Sequence, residues 1–319
     1  MRIVPASDIA DALDFPSLIE SLRAAFRSGV VSPPGHRLRI PLPDQTDADL
    51  HFAPAWSDFA RQGHSERGYV GVGIACVFPG NAERDRAAGS GAYLLMSGRT
   101  GEPLAFIDGQ ALTAWRTAAT SALASSYLSR PDASRLLMVG AGSLAPRLIE
   151  AHAAVRPIRE VLVWNRTGER AERLAKALAA HPFQVSATDD IEGAVRGADI
   201  VSCATLAVEP LIKGAWLKPG AHLDLVGSFR PDMREADDAC IRRARLFVDD
   251  RRATLTDTGD LALPLAAGVI DESDIAADLA ELSQGEKAGR RFHDQITLFK
   301  SAGTGLADFA AAAHVFARI

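Results

Sequence analysis

The feature that most constrains this sequence is a pair of glycines between a strand-like and a helix-like segment. Residues 136–139 read Leu-Leu-Met-Val, a continuous apolar run that predicts a strand buried on both faces. Gly140 and Gly142 follow, and helix-type apolar spacing resumes over about 144–155. With Ala145 the pattern is G-x-G-x-x-A, in which the glycines permit a tight turn and a close backbone approach to a pyrophosphate. The segment predicts the dinucleotide-binding corner of a Rossmann-type fold.

Strand-like and helix-like segments alternate from residue 136 to residue 250. The strand-like runs are LLMVG, EVLVWN, FQVSAT, DIVSCAT, HLDLVG and ARLFVDD, with helical patterns near 144–155 and 168–180 and at IEGAVRGA. This alternation predicts an α/β fold with a doubly wound parallel sheet. The first 110 residues lack that rhythm: a helix near 15–29 precedes RLRIPL, DLHFAPAW, YVGVGIACVF and AYLLM, which predict a separate α+β domain.

The length of 319 residues also favours two domains. We expect residues 1–115 together with 305–319 to form the α+β domain, and residues 116–304 to form the Rossmann domain. The alanine-rich stretch 112–128 is expected to be a helix that bridges the two domains. The last helix, from about residue 305, is expected to return to the first domain.

The end of the second Rossmann strand bears on the choice of cofactor. In this fold a carboxylate about 20 residues after the glycines binds the ribose and selects NAD. Here EVLVW ends in Asn165-Arg166-Thr167, with Asn165 placed 23 positions after Gly142. Arg166 can pair with a 2′-phosphate and the polar side chains beside it can donate hydrogen bonds, so NADP(H) is favoured over NAD(H). Four more residues are assigned to the cofactor site, the last as a wall of the nicotinamide pocket: Ser143, Leu144, Thr205 and Ser228.

Composition and charge argue against several classes of partner. Lys and Arg number 35 against 40 Asp and Glu, a formal charge of −5 without a long basic run, so nucleic acid is not an expected partner. Asp8 and Asp11 interrupt any signal-like N-terminus and no membrane-length apolar run occurs, which predicts a cytoplasmic protein that does not bind membranes. Cys76, Cys203 and Cys240 have neither CxxC spacing nor a nearby histidine pair, so we expect buried free thiols and no metal site.

Six segments taken together resemble the ornithine cyclodeaminase/mu-crystallin family. They are RTAATSALAS (116–125), VGAGSLA (139–145), VWNRT (163–167), KPGAHLDLVGSFRPDMRE (218–235), TGDL (258–261) and FKSAG (299–303). The resemblance spans nearly the whole chain and implies a substrate-binding and dimerisation domain beside a Rossmann domain, in a homodimer. It also implies nicotinamide-dependent oxidation of amino acids to imines or reduction of imines, including cyclic ketimines.

Two arginines match family positions that bind the carboxylate of the amino-acid or imino-acid substrate. They are Arg37, in HRLRIPL, and Arg116, in AWRTAA. Such cationic groups are what hydride transfer to a C=N carbon next to a carboxylate requires. Arg37 has an equally charged neighbour in Arg39 and could instead be an ordinary surface arginine. Arg116 sits in an otherwise apolar helix and needs a partner for its charge.

The sequence departs from its relatives at two positions. Gly73 stands where the family pattern G-V-K-I-V-x-V-x-P-G-N has a lysine that contacts the substrate and can serve in proton transfer. Phe229 stands where ornithine cyclodeaminases have an aspartate, so the second charge of a diamine would lack a partner. We therefore expect a ketimine reductase-like enzyme of the mu-crystallin type, with Phe229 against an apolar substrate side chain. A cofactor- and ligand-binding protein that has lost catalysis is the alternative, and ornithine cyclodeaminase activity is disfavoured.

Two residues are candidates for catalysis in place of the missing lysine. His51, in DLHFAPAW, lies on a strand that the resemblance places at the substrate site, and an imidazole has the pKa range of a proton donor. Asp260, in TGDL, matches a family motif on a loop near the cofactor. The alternatives are a structural role for His51 and a helix-capping or turn role for Asp260.

Overall fold

The computed structural model describes residues 1–27, 29–43, 46–62, 68–84 and 89–319. The chain forms two compact units, one of Met1–Thr117 with Thr304–Ile319 and the other of Ala118–Gly303. These bounds lie one or two residues from the expected domain bounds. The α/β fold class expected from the sequence is confirmed.

The strands and helices of the described residues are as follows in chain order. The strands are β1 (Arg2–Val4), β2 (Val30–Val31), β3 (His36–Ile40), β4 (Ala48–Ser57), β5 (Tyr69–Val77), β6 (Gly89–Ser97), β7 (Pro103–Asp108), β8 (Arg135–Val139), β9 (Glu160–Trp164), β10 (Gln184–Thr188), β11 (Ile200–Cys203), β12 (His222–Leu225), β13 (Arg245–Val248), β14 (Ile275–Asp278) and β15 (Thr297–Lys300). The α-helices are α1 (Ala6–Ala12), α2 (Phe15–Arg27), α3 (Phe59–Gln62), α4 (Gly109–Leu128), α5 (Ala145–Val155), α6 (Gly168–Ala177), α7 (Ile191–Gly197), α8 (Asp238–Arg243), α9 (Arg251–Asp257), α10 (Gly259–Ala266), α11 (Leu279–Gln284) and α12 (Gly305–Phe316). Short 3-10 helices span Pro79–Arg84, Gly214–Trp216 and Glu272–Asp274.

The first unit contains a seven-stranded sheet in the order β1-β7-β6-β5-β4-β2, with β3 also paired to β4. All its strand pairs are antiparallel except β1 with β7. One face packs against α12, and the side chains of Ala55, Tyr93 and Leu95 on that face are buried. Side chains alternate between faces along a strand, so Val72 and Leu94 lie on the opposite face, where both are only half-buried.

The second unit contains an eight-stranded, fully parallel sheet in the order β10-β9-β8-β11-β12-β15-β13-β14. Its central strands are apolar on both faces, and Leu136, Leu137, Met138 and Val139 are all buried, as expected for a sheet with helices on both sides. The strand order reverses between β8 and β11. In doubly wound sheets ligands bind outside the carboxyl ends of the strands at such a switch point.

Helix α4 has residues in both units, and two arginines of the second unit hold its C-terminal end. The last carbonyls of a helix have no intrahelical partner. The guanidinium of Arg156 donates to the carbonyl oxygens of Ser125, Ser126 and Ser129, at 2.8, 2.9 and 3.0 Å. Arg290 Nε donates to the carbonyl oxygen of Leu128 at 2.7 Å. These bonds fix the end of the helix that carries Arg116 nearer its start.

No helix within the described ranges is long and apolar enough to cross a membrane. All three cysteines are free. Cys203 and Cys240 are buried, as expected. Cys76 is only half-buried, contrary to expectation, because its position on β5 belongs to the open face of the first sheet.

Candidate functional site

Gly140 forms a tight turn at the carboxyl end of β8. Its φ is +107°, and a Cβ there would lie 2.6 Å from the carbonyl oxygen of Ala204 after β11, so only glycine fits. A Cβ on Gly142 would meet no atom within 4 Å, so the backbone at Gly142 is open to close approach by a phosphate. Ala145 begins α5 and is buried, which allows the helix to pack closely on β8. The three positions fit the requirements of a dinucleotide-binding corner.

The start of α5 completes this corner. The first N–H groups of a helix lack intrahelical partners, and no side chain caps α5 at its N-cap residue, Leu144. Ser143 before it is exposed. A helix N-terminus with this composition suits the charge of a pyrophosphate.

The end of β9 differs in part from the expectation. Asn165 Oδ1 accepts a hydrogen bond from the Ala141 amide at 3.2 Å, and its Nδ2 donates to the carbonyl oxygen of Thr167 at 2.9 Å. Asn165 therefore holds the glycine corner against β9, a role that the sequence did not reveal. Arg166 and Thr167 are exposed, and Thr167 is the N-cap residue of α6 without a side-chain capping bond. Within the described part of the chain, the Arg166 guanidinium makes no ion pair.

The loops that follow β11 and β12 are joined by one buried carboxylate, that of Glu235. Its Oε1 accepts hydrogen bonds from the amide and hydroxyl of Thr205, at 2.7 and 2.8 Å, and its Oε2 accepts one from the Gly227 amide at 2.7 Å. Gly227 has no room for a Cβ because the backbone of Thr205 and the Glu235 carboxylate lie against it. Sequence reasoning missed Glu235, because RPDMRE reads as a polar surface turn.

Ser228 and Phe229, next on the loop after β12, differ in exposure. Ser228 is fully buried, and its hydroxyl donates to the carbonyl oxygen of Met233 at 2.6 Å. The expected placement of Ser228 on a pocket wall is therefore not supported, because the hydroxyl is used to close its own loop. Phe229 is 53% exposed and available to a ligand.

Asp260 lies at the start of α10, beneath the same loops. Its Oδ1 accepts hydrogen bonds from the amides of Glu235 and Ala236 at 2.8 and 3.3 Å, and its Oδ2 lies 3.6 Å from Lys300 Nζ. The Asp260 and Lys300 side chains are both fully buried. A carboxylate enclosed in this way supports the backbone of the loop, so the structure favours a positioning role for Asp260 over the expected catalytic one.

The buried charges of Asp260 and Lys300 affect the pKa of the Glu235 carboxyl group. Burial, and then the carboxylate of Asp260, raise the pKa of Glu235 to about 7, against the opposing effects of Lys300 and Thr205. Burial beside Asp260 therefore favours the protonated form of Glu235 more than an exposed position would.

In the first unit, Arg116 has the partner that its place in an apolar helix demanded. Its Nε lies 2.6 Å from Asp308 Oδ1 on α12, and the side chains are only 12% and 17% exposed. Burial, and to a smaller degree the Asp308 carboxylate, raise the pKa of Tyr93 far above its usual value. Asp308 lies 192 positions from Arg116 in sequence and was not identified from the sequence.

Arg37 and His51 lie opposite each other on the paired strands β3 and β4, and His51 also lies opposite Ala75 on β5. Directly paired residues share a face of the sheet. Arg37 Nη2 lies 2.6 Å from Asp49 Oδ2, and its guanidinium, with smaller contributions from His51 and Arg39, keeps the pKa of Asp49 below its usual value. The structure thus places Arg37, His51 and Asp49 together at one end of the sheet.

Gly73 occupies the same face of the sheet as His51. A Cβ on Gly73 would lie 3.6 Å from Cδ2 of Tyr93 and 3.8 Å from Cβ of Ala53, which are ordinary contact distances. Gly71 has no such room, because the Tyr93 ring and hydroxyl cover it. The ring of Tyr93 therefore packs over both glycines.

The family model described as the ornithine cyclodeaminase/mu-crystallin family matches residues 11–319. The chain belongs to this family. It is 43% identical over 240 residues to Delta(1)-pyrroline-2-carboxylate reductase of Paracoccus denitrificans, covering 75% of this chain and 76% of that protein. The resemblance found in the sequence is therefore confirmed.

Solved structures of family-like proteins superimpose over the whole chain. Delta(1)-pyrroline-2-carboxylate reductase of Thermococcus litoralis, in complex with NADH and L-proline, has a TM-score of 0.91 at 30% identity and covers 100% of this chain and 97% of its own. An archaeal alanine dehydrogenase dimer with bound NAD has a TM-score of 0.88 at 25% identity and covers 100% of this chain and 95% of its own. Both neighbours bind a nicotinamide cofactor.

Proposed function

We propose that this protein is an NADP(H)-dependent oxidoreductase that reduces the C=N bond of a cyclic imino acid. The observation that carries the proposal is the dinucleotide-binding corner at Gly140 and Gly142, in a chain 43% identical to a pyrroline-2-carboxylate reductase. The neighbour from Thermococcus litoralis binds L-proline, which is what reduction of pyrroline-2-carboxylate yields. A small imino acid with an α-carboxylate is accordingly the proposed substrate.

The preference for NADP(H) rests on the exposed end of β9. Arg166 precedes the N-terminus of α6, where helix N–H groups and the Thr167 hydroxyl can bind the oxygens of a 2′-phosphate. No carboxylate stands at the carboxyl end of β9. The acidic residue nearest to Arg166 in sequence is Glu169, in the first turn of α6. The net effect of Arg166 and Glu169 is what decides between NADPH and NADH.

The cofactor, when bound, supplies the hydride to the imine carbon. In the first unit, Asp308 fixes the Arg116 guanidinium, which we assign to the substrate carboxylate. Arg37 is the second candidate for that carboxylate. The imine nitrogen needs a proton, and His51 is the candidate that replaces the lysine absent at position 73.

A binding protein that holds NADPH and a small carboxylate without turning them over is the second candidate function. The observation in its favour is Gly73, which has neither a charge nor a proton to give. The two functions make opposite predictions for turnover at equal cofactor binding.

The test is NADPH oxidation by the purified protein with Δ1-pyrroline-2-carboxylate and its six-membered homologue, alongside Gly73→Lys and its size control, Gly73→Ala. Turnover by the wild type supports the reductase, and loss of that turnover in His51→Gln at unchanged NADPH affinity supports His51 as the proton donor. A wild type that binds NADPH but does not oxidise it, with activity gained only in Gly73→Lys, would refute the reductase function and support the binding function. Ornithine is tested separately for release of proline and ammonia, because its cyclodeamination consumes no NADPH, and no product is expected.

We also propose a homodimer that buries the open face of the first sheet. Apolar side chains on that face are half-buried or exposed, including Val72, Ile74, Leu94 and Phe106, the last 42% exposed. Contiguous exposed apolar surface of this kind marks an interface, and the archaeal neighbour was solved as a dimer. Light scattering after gel filtration should give a dimer for the wild type and for the surface control Ser186→Glu, and a monomer for Leu94→Glu. A monomeric wild type would refute the proposal.

A further inference from the structure

We propose that Glu235 is a positioning residue that joins the loops after β11 and β12 into one half of the cofactor pocket, and that NADPH binding depends on its carboxylate being ionised. This inference rests on the proposed function, because it takes NADPH as the ligand of the second unit. Glu235 itself is fully buried, so it acts through the loops that it binds.

The geometry gives Glu235 three bonds to two different loops. The amide and hydroxyl of Thr205 bind one carboxylate oxygen, and the amide of Gly227 binds the other. These loops leave neighbouring parallel strands, since β11 pairs with β12 and also with β8. They therefore stand at the switch point, beside the Gly140 turn, whose missing Cβ would abut Ala204 just before Thr205.

The same loops carry large apolar side chains whose exposure to water is unfavourable. Leu206 is 74% exposed and follows Thr205, and Phe229 is 53% exposed and lies two positions after Gly227. An apolar ring such as nicotinamide, held away from water, would cover side chains of this kind. Glu235 fixes the backbone from which both side chains project.

Protonation of Glu235 would remove part of this support. A carboxylate can accept all three hydrogen bonds. In a protonated carboxyl group one oxygen carries a hydrogen, so that oxygen becomes a donor and is a poor acceptor for the N–H group that faces it. Among the described residues, the titratable groups that act on Glu235 are Asp260 from α10, Lys300 from β15 and Cys203 from β11. Burial and then Asp260 raise the pKa of Glu235 to about 7, so the ionised form is lost as the pH falls below neutral.

The inference is tested by NADPH affinity, measured from pH 5.5 to 8.5 through the fluorescence of the bound cofactor. Glu235→Gln keeps the size of the side chain but loses one acceptor and the charge, and we expect NADPH to bind about tenfold or more weakly at pH 8. Glu209→Gln, on the exposed loop after β11, is the matched control and should bind as the wild type does. Equal binding by Glu235→Gln and wild type would refute the inference.

The pH profile supplies a readout that a purely structural role would not move. The wild type should lose NADPH affinity as the pH falls through about 7, with unchanged circular dichroism. Asp260→Asn keeps an oxygen for the amides of Glu235 and Ala236 but removes the neighbouring charge, so the loss of affinity should move to lower pH by about one unit or more. The 2′-phosphate of NADPH also titrates near pH 6, but identically with both proteins.

The outcomes separate the two claims. A wild-type affinity that does not fall between pH 8 and pH 6, or an identical profile for Asp260→Asn, would overturn the role of Glu235 and leave the reductase proposal standing. Failure of the wild type to bind NADPH at any pH would refute the proposed function and, with it, this inference. If Asp260→Asn does not fold, the wild-type profile is repeated with NADH, which has no 2′-phosphate: a loss of affinity near pH 7 with both cofactors supports the role of Glu235, and a loss with NADPH alone overturns it.

Discussion

The ion pair between Arg116 and Asp308 gives the sharpest test of the substrate site. Asp308→Asn leaves an oxygen that can accept from Arg116 Nε but removes the negative charge that fixes the guanidinium. If Arg116 binds the substrate carboxylate, the substitution leaves its guanidinium less firmly oriented for that contact. NADPH binding should not change, because the cofactor residues that we assign lie in the second unit.

The size of the effect follows from the geometry of the pair. At 2.6 Å, with side chains 12% and 17% exposed, it is a charge-assisted hydrogen bond with little screening by solvent. Hydrogen bonds to charged groups contribute about 1.5–3 kcal/mol, and neutral ones about half as much. The substitution should therefore cost about 0.7–1.5 kcal/mol, which corresponds to a rise in KM of about three- to tenfold. Carboxylate binding is common to the bound substrate and the transition state, so kcat should change little.

The assay is steady-state NADPH oxidation against pyrroline-2-carboxylate concentration, with the melting temperature and the Kd for NADPH measured on the same samples. Asp14→Asn is the matched control: Asp14 pairs with Arg318, just beyond α12, at 2.7 Å, but its side chain is 54% exposed. An unchanged KM in Asp308→Asn, or an equal rise in Asp14→Asn, would refute the positioning of Arg116 by Asp308. A parallel loss of NADPH affinity would show that the damage is general.

Three further predictions address the cofactor and acid stability. Gly140→Ala should lower the melting temperature and abolish NADPH binding, because φ at Gly140 is +107° and a Cβ there would lie 2.6 Å from a carbonyl oxygen. Gly142→Ala should weaken NADPH binding but leave the melting temperature unchanged, because a Cβ there meets no atom within 4 Å. Arg166→Ala should weaken NADPH at least about tenfold more than NADH in paired titrations, and equal losses would remove the 2′-phosphate assignment. Burial lowers the pKa of His222 to about 3. Below about pH 6.5 the unfolded chain therefore binds a proton at this histidine that the folded chain does not bind. The free energy of unfolding should accordingly fall as the pH drops from about 6.5 toward 3. Urea denaturation at pH 7 and pH 5 should show a smaller loss for His222→Gln than for wild type.

The glycine corner could be identified from sequence because its determinants are local. The strand, the turn and the helix start fall within residues 136–155, and the turn at Gly140 depends on a backbone angle that only glycine adopts readily. The parallel sheet followed from apolar runs at regular intervals, for the same reason. Arg116 could be singled out because a charge in an apolar helix requires a partner, although the sequence did not show which.

The groups that hold the site together could not be identified in the same way. Asp308 and Glu235 act on partners 192 and 30 positions away, so no local pattern shows which groups they bind. Ser228 was expected on a wall of the nicotinamide pocket, and its burial could not be foreseen because the sequence does not distinguish a buried hydroxyl from an exposed one. One signal was available for Asp308: it is an acidic residue in the first turn of an alanine-rich helix whose other polar side chain is His314, in the last turn.

The missing lysine is not a consequence of packing in the first sheet. Tyr93 needs Gly71 to be a glycine, since its ring and hydroxyl fill the space of a side chain there, but it leaves room for a Cβ on Gly73. Its hydroxyl is buried without a hydrogen-bond partner among the described residues and its raised pKa keeps it neutral, so Tyr93 makes a poor substitute for an ammonium group. Because a Cβ at position 73 would make only ordinary contacts, comparison with Gly73→Ala lets activity gained or lost in Gly73→Lys report on the ammonium group. We propose that Arg37 and Arg116 bring to the substrate the charge that the lysine would have brought, and that His51, on the same face of the sheet as Gly73, donates the proton.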